Sequence, residues 1–158
     1  MRAWRLLIAV ALATAALSSP VLADQSQHTT QLPLSLTAAG AAAGQPALRS
    51  GHVVNIHTQG PVNFAIEEYQ VNGAQPTTNY AVVLGLFASS CAGAFLFPFP
   101  NGAVLTTDGH GDAHGQNKIS PAQVAQLGLH NKDFGIVWTL VASGVAAYAT
   151  PCTNVHID

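Results

Sequence analysis

The chain has 158 residues, 49% of them apolar and only 8% charged, with a formal net charge of −2. Its five Lys and Arg residues are scattered, whereas binding to a phosphate backbone draws its affinity from clustered cations, so nucleic acid is excluded as an expected partner. Beyond the N-terminal segment no stretch approaches the roughly 20 apolar residues of a spanning helix, so no membrane span is expected in the mature protein.

Arg2 and Arg5 precede an uncharged run from Leu6 to Leu17, and Ser18-Ser19-Pro20-Val21-Leu22-Ala23 follows. A basic head, a short apolar run and small residues at a cleavage point predict a signal peptide over 1–23, cut between Ala23 and Asp24. The expected location is then secreted or periplasmic. What remains carries three Lys and Arg against seven acidic residues, a formal net charge of −4. Residues 24–30 are polar and read as a flexible N-terminus, and 31–158 as a single domain.

Gln31 to Thr37 alternates, with Leu32, Leu34 and Leu36 on one face, and Pro33 marks an edge strand. Ala38 to Pro46 is rich in alanine. Two glycines, a proline and the lack of an apolar stripe predict a loop there. His52–His57 is a β-branched run. Asn63–Val71 is strand-like with a slip of phase: Phe64 and Ile66 share one parity, Tyr69 and Val71 the other. That slip predicts a bulge between Glu67 and Glu68. Asn79–Ser89 and Ala92–Phe99 read as further strands.

Ser120-Pro121-Ala122-Gln123 carries a capping box with proline at the first helical position, and Ile119 and Val124 are placed to clasp around it. Gly128 ends the element, predicting a short connecting helix over 121–127. Gly135–Val141 and Val145–Thr150 form a hairpin about Ala142-Ser143-Gly144. Pro151 interrupts, and Cys152–Ile157 closes the chain. This pattern of about eight or nine short strands with turn residues between them predicts an all-β, antiparallel Greek-key β-sandwich. Cys91 and Cys152 are the only cysteines, and an even count in an exported chain predicts one disulfide.

Two segments resemble known modules. Ala74-Gln75-Pro76-Thr77-Thr78-Asn79-Tyr80-Ala81-Val82 is similar to the tyrosine corner of fibronectin type III and related immunoglobulin-like domains, with Pro76, Thr78, Tyr80 and Val82 matching. That resemblance implies a tyrosine hydroxyl bonded to backbone upstream. Gly102 to Ala113 resembles the Thr-Asp-x-x-Gly-x-Ala hairpin of exported bacterial immunoglobulin-like and prealbumin-like modules. Asp108 would bond its own turn there, and Gly109 and Gly111 would accept positive φ. The resemblance brings no catalytic residue with it.

The same loop holds the sharpest chemical candidate. Asp108, His110, Asp112 and His114 alternate with small residues, so an extended segment would align two carboxylates and two imidazoles for a divalent metal. Turn chemistry accounts for Asp108 and both glycines without one. Glu67 and Glu68 are adjacent and would point apart on a regular strand. No Gly-x-Ser-x-Gly elbow occurs, and no phosphate-cradling glycine loop. Phe95, Phe97, Phe99, Trp138 and Tyr148 are read as core residues, with a carbohydrate or lipid site as the alternative. The expected function is an exported, non-enzymatic binding or surface-interaction module without a cofactor, its partner a protein, small molecule or glycan. The alternative is a metal protein or metal-dependent enzyme using the four loop residues. Mass spectrometry of exported protein should find Asp24 at the N-terminus; an intact Met1–Ala23 segment on exported material would remove the signal-peptide reading.

Overall fold

A computed structural model describes residues 28–57, 65–129 and 131–157; the expected signal peptide lies outside them. They form ten strands and two short helices. One antiparallel sheet has the order β1 (His28–Pro33), β3 (Ser50–His57), β4 (Ala65–Asn72), β7 (Ala113–Ile119). The other runs β2 (Ser35–Leu36), β9 (Val145–Ala149), β8 (Lys132–Ala142), β5 (Asn79–Ala88), β6 (Phe95–Thr106). β10 (Thr153–Ile157) also pairs with β8, beside Lys132–Ile136, whereas β9 lies beside Thr139–Ala142. Pro151 therefore falls at the break between two strands that share one side of β8.

The inner faces of both sheets contribute to one core. Val53, Tyr69 and Val71 meet Tyr80, Val82, Leu84, Leu86, Trp138 and Leu140. The alternation of Leu32, Leu34 and Leu36 has a structural use. The chain is paired in the first sheet up to Pro33, crosses at Leu34, and joins the second sheet at Ser35, keeping the leucines inward. Strand β1 begins at His28, so Thr29 and Thr30, expected in the flexible N-terminus, pair with Ile56 and Asn55.

Two expectations are corrected. Ala38–Ala42 is a one-turn helix, α1, rather than a loop. The Thr37 hydroxyl caps it, accepting from the Gly40 N–H at 2.9 Å. Gly40 packs so closely that an added Cβ would lie 2.4 Å from the Ala147 carbonyl oxygen. The helix is held by backbone approach instead of an apolar stripe, which is why no stripe marked it. The second correction concerns the bulge. β4 is regular from Ala65 to Asn72 and pairs without a shift on both sides. The irregularity lies in β6, where Val82 faces the extra residues between Pro100 and Val104, with Gly102 at φ 85°.

The expected helix is present as α2 (Pro121–Gln126), with Ser120 accepting from the Gln123 N–H and the Gln123 side chain accepting from the Ser120 N–H. Gly128 follows at φ 64°. Ser143 and Gly144, both at positive φ, make the two-residue turn between β8 and β9.

Cys91 and Cys152 are joined, with Cα atoms 5.8 Å apart. The Ser90–Cys91 turn crosses the outer side of β8 at Gly135, where a Cβ would stand 2.5 Å from the Cys91 nitrogen. The Asn154 side chain accepts from the Cys91 N–H at 2.8 Å. The bond thus ties the β5–β6 connection to β10 over β8. With a sequence separation of 61 between the cysteines, replacing both by serine should cost about 4 kcal/mol in the chain-entropy model. Urea unfolding of Cys91→Ser/Cys152→Ser measures it, and a midpoint equal to that of the native protein would refute the estimate.

Candidate binding site

Regular alternation along β4 turns Ala65, Glu67, Tyr69 and Val71 inward. Glu67 is thereby carried into the core at 1% exposure. A carboxyl removed from water needs replacement hydrogen bonds, and three side chains supply them. Trp138 Nε1, from the opposite sheet, donates to Oε1 at 2.7 Å. Asn101 Nδ2 donates to Oε2 at 2.6 Å, and the Tyr69 hydroxyl donates to the same oxygen. Asn101 Nδ2 also lies 2.6 Å from the Tyr69 hydroxyl, on which it donates.

Asn101 lies in the irregular stretch of β6, on its inner parity. Its own Oδ1 accepts from the Ala103 N–H, and its carbonyl accepts from the Asn117 side chain of β7 at 2.8 Å. Burial pushes the Glu67 carboxyl above the ordinary glutamate value, against the pull of the Tyr69, Trp138 and Asn101 hydrogen bonds. Burial and the neighbouring Glu67 push the Tyr69 hydroxyl up in turn.

Glu67 stands on the wall of a cavity of about 50 Å³ at one end of the sandwich. Leu84, Leu86, Phe99, Ile136, Trp138, Val155 and Ile157 line it from the second sheet, and Asn55, Ala65 and Ile119 from the first. α2 and the residues after it close the end with Val124, Leu127 and Leu129. Leu127 and Leu129 also border an open cleft of about 420 Å³, with Leu96, Phe97, Lys132, Asp133 and Phe134 around it. Cavity and cleft therefore share a wall at the C-terminal end of α2.

The loop candidates are placed differently. Asp108 Oδ1 accepts from the backbone N–H groups of His110 at 2.8 Å and Asp112 at 3.0 Å. Those bonds, Asp112 first, hold its carboxyl below the usual range. Asp112 Oδ1 accepts from Arg49 at 2.6 Å and from the Gly73 N–H at 2.9 Å. His110 is exposed, and His114 projects from the outer face of β7 opposite Gln70. Among the described residues no group of three or more His, Cys, Asp and Glu side chains is placed to hold a metal ion. Gly111 adopts the expected positive φ of 81°, and a Cβ there would meet the Ala74 carbonyl at 2.0 Å; Gly109 is not in that region.

The Tyr80 hydroxyl accepts from the Gln75 N–H at 3.2 Å and donates to Gln45 at 2.6 Å, while Thr78 donates to the Pro76 carbonyl at 2.9 Å. Of the aromatic set, Trp138 and Tyr148 are buried and Phe99 packs on the core, whereas Phe95 and Phe97 are exposed. Phe95 meets Phe87 edge-on, the ring centroids 5.4 Å apart.

The fold and site define an all-β protein of two antiparallel sheets that enclose a hydrogen-bonded carboxyl beside an apolar cavity. Comparison with protein-family models, curated proteins and solved structures returns no match for the chain. Sequence reasoning missed Glu67 as a core group because Phe64 and Ile66 suggested the opposite phase. The strict 65-67-69-71 register shared with Tyr69 and Val71 was the signal that marked it.

Because the folded state binds the Glu67 proton more tightly than the unfolded chain, the native state holds more protons once pH rises above the ordinary value of 4.5. Stability from this group is therefore full below that value and is lost as pH rises through the raised one. Urea midpoints measured from about pH 4 to about pH 8 should fall more steeply for the native protein than for Glu67→Gln. Parallel curves would show that Glu67 carries no raised pKa.

Proposed function

We propose that this chain is an exported, non-enzymatic β-sandwich module, immunoglobulin-like or prealbumin-like in kind, that binds a small apolar ligand at its α2 end. The observation that carries the reading is the apolar cavity under α2 that shares Leu127 and Leu129 with an open cleft. Concave apolar sites with a few polar groups are the usual form of a small-molecule site. The Cys91–Cys152 bond suits an oxidising compartment, and the hydroxyl of Tyr80 bonds upstream backbone as the corner motif implies. Glu67 commits its oxygens to Trp138, Tyr69 and Asn101, which favours an anchoring role for it over proton transfer.

Trp138, the one tryptophan among the described residues, lines the cavity and reports on it. Titration with 1-hexanol should shift its emission saturably. Leu127 is 38% exposed at the shared wall, so Leu127→Asp should weaken binding about tenfold without unfolding the protein. Val104→Asp, at a position 59% exposed and outside both linings, should leave it unchanged. An emission that never responds to 1-hexanol would refute the binding reading.

A further inference from the structure

We infer that Asn72–Gly73 is a self-modification site, at which the Asn72 side chain closes on the Gly73 nitrogen and releases ammonia, with Asp112 as the base.

The sequence holds two Asn-Gly steps, Asn72–Gly73 and Asn101–Gly102. At such a step the glycine nitrogen can reach the preceding side-chain carbonyl carbon, because no Cβ shields it. The fold treats the two steps differently. Asn101 is 8% exposed, its Nδ2 donating to Glu67 and Tyr69 and its Oδ1 accepting from the Ala103 N–H at 3.0 Å. That amide is held at both ends. Asn72, the last residue of β4, is half-buried and borders an open cleft of about 340 Å³ with Gln70, Asp112, Ala113 and His114. Its Nδ2 donates only outward, to Ser50 Oγ at 2.7 Å.

An amide nitrogen becomes a nucleophile only as its proton is drawn away. The Gly73 N–H donates to Asp112 Oδ1 at 2.9 Å, within the reach a general base needs. The contact is braced from two sides. Arg49 Nη2 holds the same oxygen at 2.6 Å, and the Ala74 N–H donates to the Gly111 carbonyl at 2.9 Å, tying the loop to the turn. Gly73 itself stands at φ 78°, where a Cβ would meet Arg49 Cγ at 2.9 Å.

The bond from the Gly73 nitrogen to Asn72 Cγ forms as the Gly73 proton passes to Asp112. The Cγ–Nδ2 bond then breaks, and the departing nitrogen takes that proton back through solvent in the cleft and leaves as ammonia. A cyclic imide results. Water opens it at either carbonyl, giving aspartate or its β-linked isomer at position 72. Both products replace the donor to Ser50 by a carboxylate. The β-linked one also lengthens the backbone where the Arg49 N–H bonds the Asn72 carbonyl at 2.9 Å.

Incubation of the purified protein at about pH 8, followed by peptide mass spectrometry, tests this. The peptide with Asn72 should lose the mass of one ammonia and then gain that of one water, at least about tenfold faster than the peptide with Asn101. Asp112→Asn keeps an oxygen for the Gly73 N–H but removes the base, and should slow the Asn72 reaction at least about tenfold. The ion pair it breaks is a surface one, so the fold should survive. If that variant does not fold, the comparison of the two steps in the native protein decides alone. Equal rates at Asn72 and Asn101, or no mass change at either, would overturn the site. An Asn72 rate unchanged in Asp112→Asn would overturn the base.

Discussion

A carboxyl group cannot be taken out of water unless its hydrogen bonds are returned to it, and in this protein the return is made by both sheets at once. Glu67 belongs to β4 in one sheet and Trp138 to β8 in the other, and their contact spans the core. Shifting β4 by one residue would turn Glu67 and Tyr69 out and bring Ile66 and Glu68 in, leaving the Trp138 N–H and Asn101 without their acceptor. The register of the central strands and the facing of the sheets are thus tied to one polar group. Asn101, in the irregular stretch of β6, belongs to the same constraint, since its side chain meets both Glu67 and Tyr69.

The end of the sandwich near Glu67 is closed by local means. The capping box at Ser120 and Gln123, the inward Val124 and the left-handed Gly128 bring α2 down over the gap between the sheets. On the far wall the Cys91–Cys152 bond holds the β5–β6 connection against β10, across the part of β8 that supplies Ile136. α2 and the residues after it close this end with Val124, Leu127 and Leu129 and still leave a cavity of about 50 Å³.

Among the described strands β6 is an edge strand, and its prolines have a place in that role. Pro98 and Pro100 pair with Gly85 and Val83 on the one side that has a partner. Proline has no N–H to offer on the open side, so these positions resist the addition of a further strand. Phe95, Leu96 and Phe97 can then stay exposed beside the cleft with less risk of edge-to-edge association.

Much of this was legible in the sequence. Alternation at Leu32-Leu34-Leu36 and at Ile136-Trp138-Leu140, the turn at Ser143-Gly144, the capping box and the pairing of two cysteines are local or near-local signals, and each one has its expected counterpart in the structure. Glu67 was placed out of phase because Phe64 and Ile66 suggest the other face, and two of its three partners lie 34 and 71 residues away, in strands that no local pattern joins to it. The helix Ala38–Ala42 escaped for a related reason: its packing surface is the backbone of Ala147, which only the folded chain brings near. Periodicity reports which face of a strand is buried. What meets that face, and whether a carboxyl there finds its donors, is decided by contacts between distant segments, so the site beside Glu67 emerged only from the tertiary structure.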